Sequence, residues 1–248
     1  MNIGEGRRGP REATARRART PRSSLSTVKE ISLRTLLICA AVLGARTAPA
    51  EDAAPSPFAP VKEAFKAQNW DAAVEAALKA VKELPDSSEA HLWLGRAYGQ
   101  KAIKASIFSQ MGLAKKCKAE FEKAVALDPK STDARVDLIQ YYANAPGIAG
   151  GGMDKARVEV KVLDGLDPAR GALMSGYILS REKKPAEAEA EYRRAVSLKP
   201  DDAAIHWRFG RFLERAGKKD DAKAELREAL KLDPALEGAK KDLERLGG

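Results

Sequence analysis

Residues 203–234 read AAIHWRFGRFLERAGKKDDAKAELREALKLDP. Two helical patterns meet here at the turn Gly217-Lys218-Lys219, and the second stops at Pro234. In the first, Ala203–Ala216, the inner positions are Phe209, Gly210 and Leu213. In the second, Asp220–Leu232, they are Ala222, Leu226 and Ala229. Spacings of three and four put such residues on one face of a helix. A proline cannot continue the helix it closes, so the unit ends where Pro234 stands. Two amphipathic helices of this length cannot bury both stripes against each other alone, so they need neighbours of the same kind.

The same arrangement precedes Pro85, Pro129, Pro168 and Pro200. Twelve positions before each of the five prolines is a small residue: Ala73, Cys117, Ala156, Ala188 or Ala222. Eight before stands Ala77, Phe121, Val160, Tyr192 or Leu226, and five before stands Ala80, Ala124, Leu163, Ala195 or Ala229. Two before comes Glu83, Leu127, Leu166, Leu198 or Leu232, which extends the apolar stripe to the proline stop. A second helical stretch precedes each of these helices, with Gly95 in Ala90–Tyr98 at the place of Gly210. Small residues there let two helices approach closely. The fold expected is all-α: an α-solenoid of about five antiparallel helix pairs over 61–248, closed by a solvating cap helix over 236–246.

The pattern Leu94-Gly95-x-x-Tyr98, joined to small-x3-aromatic-x2-Ala-x4-Pro in the second helix, resembles the tetratricopeptide repeat. The resemblance covers residues 58–236. His91 and His206 stand where the family usually has Trp, and the first repeat has only a stunted first helix. Arrays of this kind bind partners far more often than they catalyse, which the resemblance carries to this chain as an expectation.

A uniform array of this family spaces its prolines 34 apart. The intervals here are 44, 39, 32 and 34. The excess falls between the helices of the second repeat, around Lys101–Lys116, and of the third, in Ala145–Gly152. Equivalent junctions of a stacked array share one edge, so the two insertions are expected to be neighbours in space. The first is basic: between Glu89 and Glu120 there is no acid, while Arg96, Lys101, Lys104, Lys115, Lys116 and Lys118 supply +6. Ile103, Ile107, Phe108 and Met111 lie among them, so both helices are expected to lengthen around a turn near Gly112. One reading makes these residues an extended core with a solvated basic face. The other makes them a surface for a partner protein, lipid headgroup or envelope polymer.

The second insertion places Gly147, Gly150, Gly151 and Gly152 before a helix starting at Met153. Its backbone N–H groups offer an anion site at a helix start, or else simply a turn needing left-handed conformations. It is not a phosphate loop, because Met153-Asp154 replaces the required Lys and Ser/Thr and no strand precedes it. With Tyr141-Tyr142 before it, the Ala-Pro-Gly-Ile-x-Gly-Gly-Gly segment is similar to that of exported bacterial tetratricopeptide proteins with a long second repeat. That likeness implies no particular activity.

The resemblance implies that first helices line an inner groove. Candidate partner-binding residues are then Arg96, Lys101, Lys104, Lys115 and Lys116 with Gly150, Gly151 and Gly152 at the inserted edge. The candidates in the groove are Arg96 again, Val136, Gln140, Asn144, Trp207, Arg208 and Arg211. The basic clamp that some members use for a peptide carboxylate wants Lys where Leu92, Val136, Ser175 and Trp207 stand, so that mode is not expected. His91 and His206 lie two repeats apart and read as packing residues, not a metal pair. No catalytic, cofactor or metal site is expected, since no Ser-His-Asp arrangement, metal spacing or nucleotide loop is present.

The net charge of +9 sits mostly in the leader. Residues 1–50 hold ten Lys or Arg against three acids, a net of +7; the other 198 residues carry a net of +2, which gives no case for nucleic acid. Lys29 and Arg34 precede an apolar run from Leu36 to Ala45, then Ala48-Pro49-Ala50 and Glu51-Asp52. That is the order of a secretory signal, with an apolar core too short to span a bilayer. A retained N-terminal anchor is the other reading of that run; cleavage leaves no transmembrane span. Arg7-Arg8 and Arg16-Arg17 lie too far from the core for a twin-arginine signal. Leu37-Ile38-Cys39 lacks the small residue a lipoprotein box needs. Residues 1–27 are Arg-rich without periodicity, and a start of translation near Val28 gives a signal of ordinary length. A Pro/Ala linker is expected over 51–60. Loss of Cys39 with the signal leaves Cys117 alone, so no internal disulfide can form.

The function expected is a non-catalytic periplasmic or secreted scaffold that binds another protein or peptide through its groove and inserted edge. The alternative is a cell-envelope surface binder that uses the basic insertion 96–118 for anionic lipid or polysaccharide.

Overall fold

Every residue that stands twelve, eight or five places before one of the five prolines is buried in the computed structural model of the chain, which describes residues 56–247. The residue two places before does not join them: Leu166 and Leu198 are exposed, and Leu127 and Leu232 are half-buried. At about 100° per residue this last position lies roughly 80° round the helix from the first, off the contact stripe. The leader, 1–50, and the linker residues 51–55 lie outside the described residues.

The helices are α1 (Ala59–Lys66), α2 (Trp70–Glu83), α3 (Ser88–Lys104), α4 (Ile107–Leu127), α5 (Thr132–Asn144), α6 (Met153–Leu166), α7 (Pro168–Arg181), α8 (Pro185–Leu198), α9 (Ala203–Arg215), α10 (Lys219–Leu232) and α11 (Glu237–Arg245). They form five antiparallel pairs and a final single helix, and no strand occurs among the described residues. α1 begins inside the stretch read as linker, with Pro60 in its first turn, where a missing N–H costs nothing. Ser87, Ser131, Asp167 and Asp202 each accept a backbone N–H at the start of a first helix. These caps fix where α3, α5, α7 and α9 begin.

Three of the five pairs turn in the same way. Gln68, Lys183 and Gly217 hold left-handed φ values of 52°, 61° and 79°. The next residue in each turn, Asn69, Lys184 or Lys218, donates its N–H to Ala64, Leu179 or Leu213. This closes the helix end in the Schellman manner. The two lengthened repeats depart from it. α3 and α4 are long, as the insertion required, but their turn is Ala105-Ser106, in extended backbone, and Gly112 lies within α4. A Cβ on Gly112 would meet nothing within 4 Å, so this glycine interrupts no packing.

Close helix approach explains the glycines of the first helices. A Cβ on Gly95 would stand 2.5 Å from the Phe121 ring, one on Gly176 2.9 Å from Tyr192, and one on Gly210 3.0 Å from Leu226. Each partner is the residue eight before the proline. In the third repeat the sizes are exchanged, with Ile139 at the glycine place and the smaller Val160 opposite in sequence register. Total volume is held while its source changes helix, a swap that packed cores tolerate.

A second recurring contact fastens three of the five pairs, those of the second, third and fifth repeats. His91 lies within hydrogen-bond distance of the Glu120 carboxylate (2.6 Å) and the Pro85 carbonyl (3.0 Å). His206 does the same with Glu225 (2.7 Å) and the Pro200 carbonyl (3.0 Å). In the third repeat Arg135 takes that place, donating to the Pro129 carbonyl and to Glu159. The histidines are therefore buried bridging residues, each tied to its own repeat.

Candidate functional site

First helices α3, α5, α7 and α9 contribute residues to one groove. Two hollows make it up, and Gln140 and Asn144 of α5 stand on the wall between them, lining both. Asn144 donates to the Tyr177 hydroxyl at 2.5 Å, which ties α5 to α7 across the groove floor.

The first hollow, of about 610 Å³, opens between the insertions. Its walls are chiefly apolar, with Ile103 of α3, Met111 and Phe121 of α4, and Pro146 of the glycine loop among them. The expected adjacency of the two inserted segments is therefore present: both line this one cavity. The polar end is the Arg96–Asp137 pair, bonded at 2.5 Å. Burial pushes the Asp137 carboxyl above its usual range, and the Arg96 charge opposes that shift. Ile103 on the cavity wall is exposed, as is Phe108 in the first turn of α4, almost completely at 94%.

The second hollow, of about 460 Å³, is cationic. Arg181 comes from the last turn of α7, while Arg208, Arg211 and Arg215 follow at spacings of three and four along one face of α9. Tyr177, Met174 and Tyr192 complete the floor.

The residues read from sequence as partner-binding divide into four groups. Arg96, Gln140, Asn144, Arg208 and Arg211 all line the groove. Trp207 lines it too, but its indole N–H donates to Asp242 of α11 at 2.8 Å, so the ring also seats the last helix. Lys101 and Lys104 line a separate recess beside the α1–α2 turn, and Lys101 pairs with Asp71 at 2.5 Å. Lys115 and Lys116 belong to α4, and the Lys116 ammonium lies 5.5 Å from the Tyr98 ring centre. Gly150, Gly151 and Gly152 form the fourth group. Their N–H groups are engaged by the carbonyls of Gly147, Pro146 and Tyr142, so none of the three is left to hold an anion. Gly150 holds φ +85°, and a Cβ on Gly151 would overlap the Ala145 carbonyl oxygen. The loop is thus a tight turn that shapes the cavity wall, and the Tyr141 hydroxyl donates to the Ala149 carbonyl at 2.7 Å to hold it there.

Sequence reasoning missed Arg181, Arg215 and Tyr177. The spacing of 208, 211 and 215 carried a signal for Arg215, since three arginines at that interval share a face. Arg181 had none, because the repeat containing α7 is seven residues shorter than the one before it and two shorter than the one after, so its register with α9 cannot be read from position.

Comparison with known proteins agrees with this architecture. Tetratricopeptide repeat families match residues 59–107, 101–131 and 179–240. Among solved structures, a thermophilic TPR protein of Thermus thermophilus superposes with a TM-score of 0.59 at 21% identity, over 77% of this chain and 96% of that one. PilW, a type IV pilus biogenesis factor, gives 0.49 at 16% identity, over 71% and 76%. MamA from Desulfovibrio magneticus gives 0.41 at 14%, over 71% and 92%. No curated protein sequence matches the chain.

Proposed function

The chain is a tetratricopeptide repeat protein, and from that premise we propose that it acts as a non-catalytic scaffold, exported to the periplasm or secreted, that holds another polypeptide in its groove. The observation that carries the reading is the pair of adjoining hollows along the first helices. The two hollows meet at Gln140 and Asn144, so a single extended segment laid across these two side chains would reach from the inserted edge to α9. Export rests on the basic, apolar and small-x-small order of residues 29–50. Among the described residues no helix is long and apolar enough to cross a membrane.

A photo-crosslinker placed at Gln140 or Asn144 in the native host, followed by mass spectrometry, tests the scaffold reading. A defined polypeptide adduct is expected at these sites and not at Val158, which is exposed on α6. Equal labelling from all three positions would remove the groove from consideration. Cell fractionation, with the mature N-terminus sequenced near Glu51, tests export.

The alternative, an envelope-surface binder, draws on exposed Ile103 and Phe108 beside Lys104. Its basic field is weaker than the sequence suggested, because Arg96, Lys101 and Lys118 are paired with Asp137, Asp71 and Glu122. Charge reversal at Lys101, Lys104, Lys115 and Lys116 separates the readings. Loss of binding to phosphatidylglycerol vesicles with crosslinking intact would favour the surface binder.

A further inference from the structure

The cationic hollow carries charge that this chain does not answer. Of the eight described arginines elsewhere, Arg96, Arg135, Arg157, Arg170, Arg193, Arg194 and Arg245 each pair with a carboxylate, and the exception, Arg227, is exposed on α10. In the hollow no Asp or Glu lines the wall. Arg211 alone reaches a carboxylate, Asp242 of α11, at 3.6 Å. Among the described residues Arg181, Arg208 and Arg215 have no ion pair.

Arg208 is the sharpest case. Burial holds its guanidinium below the usual value; Tyr192 and Asp137 oppose that shift, and the positive charges of Arg211 and Arg170 add to it. A charge taken partly out of water needs a partner or hydrogen bonds to offset the loss of hydration. Here Arg211 on the same helix repels it, and Asp137 attracts it without forming an ion pair. Such an arrangement is stabilised when an anion enters, and guanidinium groups suit carboxylates because two parallel N–H bonds fit two oxygens.

The neighbouring hollow selects among anions. Past Gln140 and Asn144 the groove becomes apolar, at Ile103, Met111, Phe121 and Pro146. An anionic polysaccharide has no side chain to fill that space, and a flat lipid surface cannot follow a groove between helices. A polypeptide supplies both chemistries within a few residues, at about 3.3 Å of reach per extended residue.

We propose that the groove takes an extended acidic polypeptide segment, its carboxylates seated on Arg181, Arg208 and Arg215 and an apolar side chain lodged in the cavity between the two insertions. The proposal rests on the polypeptide-scaffold reading above and adds the chemistry of the partner.

Fluorescence anisotropy of the full chain with labelled dodecapeptides tests it. One probe is built from Glu, Leu and Ser; the second has every Glu replaced by Gln. The Glu probe is expected to bind at least about tenfold more tightly, roughly 1.4 kcal/mol. Arg208→Ala with Arg215→Ala should erase that margin, while Lys79→Gln, exposed on α2 and in neither hollow, leaves it. Arg215→Gln alone, at an exposed site, should narrow the margin even if the double variant does not fold. Equal binding of the two probes overturns the acidic preference and leaves the scaffold reading standing. Binding of neither probe, or of sulfated dextran or phosphatidylglycerol vesicles alone, overturns both.

Discussion

Gly95 of α3 lies so close to Phe121 of α4 that a methyl carbon on it would stand 2.5 Å from ring atom Cδ1. Gly210 repeats the relationship with Leu226, at 3.0 Å, with the Ala222 carbonyl oxygen 3.2 Å away. The side chain at one place and the space at the other are one packing decision made across two helices. Gly210→Leu should therefore cost about 1–3 kcal/mol, and Ala222→Leu, at a fully buried position, a similar amount. Thermal melts should show a drop of several degrees for each. Gly210→Ile combined with Leu226→Val copies the third repeat, where Ile139 and Val160 hold these places. The double variant is expected to recover part of the loss, and a strictly additive result would show that the two positions do not share a volume.

His206 and Arg135 do the same work in different repeats, each bridging a proline carbonyl and a carboxylate of the following helix. His206→Arg should hence melt close to the parent. His206→Ala leaves the buried side of Glu225 and the Pro200 carbonyl without this partner, and should cost about 1–3 kcal/mol. Urea unfolding of the two variants checks the contrast. Equal destabilisation would mean that ring shape, not the bridge, decides the site.

The sequence made the contact stripes legible because helical period and proline stops repeat five times, and burial at every one of the three stripe positions follows from that geometry alone. It misplaced the second repeat's turn because Gly112 looked like the only turn residue. Ala105-Ser106 breaks the helix by extended backbone, which composition does not signal. The bridges were illegible for another reason: His91 and Glu120 are 29 residues apart, and the remaining partner is a backbone carbonyl. The glycine loop suggested free N–H groups, and only the folded turn shows which carbonyls engage them.

Lys183 holds φ 61° at the place where the last pair has Gly217. A left-handed conformation costs a residue with a Cβ roughly 1–2 kcal/mol, part of which glycine returns through its larger unfolded-state entropy. Lys183→Gly should accordingly raise stability by about 0.5 kcal/mol, or a melting shift of ~1–2 °C for a domain of this size. Lys183→Ala, which keeps the Cβ, should give no gain. A matching rise for both would attribute the effect to the lost charge.

Cys117 fills the small-residue place of the second repeat at 3% exposure, and burial raises its thiol pKa from 9.0 to about 12. A group with a raised folded value favours the protonated form in the native state. Its contribution is complete below about pH 9 and disappears as pH climbs towards 12. Cys117→Ala, the residue found there in the other four repeats, should flatten that part of the alkaline stability curve. Native alkylation at pH 8.5 should run at least about a hundredfold slower than in denaturant, because the thiolate is the reactive species. Fast native labelling would show that α3 and α4 open at this point.

The last helix is tied to the groove through Asp242, which meets Trp207 and Arg211. Trp207 donates to Asp242, and its ring lies where a Cβ on Gly238 would be 2.5 Å from Cζ2. Arg245 pairs with Glu214 of α9 from the far end of α11. Leu226 and Ala229 of α10 are fully buried with Ala239 beneath this helix, so it covers an array end that would otherwise face water. Gly238→Val must move either the indole or α11. In a variant whose only tryptophan is Trp207, made with Trp70→Phe and Trp93→Phe, emission should shift to the red on adding Gly238→Val. The melt should fall by several degrees alongside. Because Trp207 also lines the cationic hollow, the same variant should weaken binding of the Glu-containing dodecapeptide. Unchanged emission with weaker binding would place the fault in the groove and leave α11 seated.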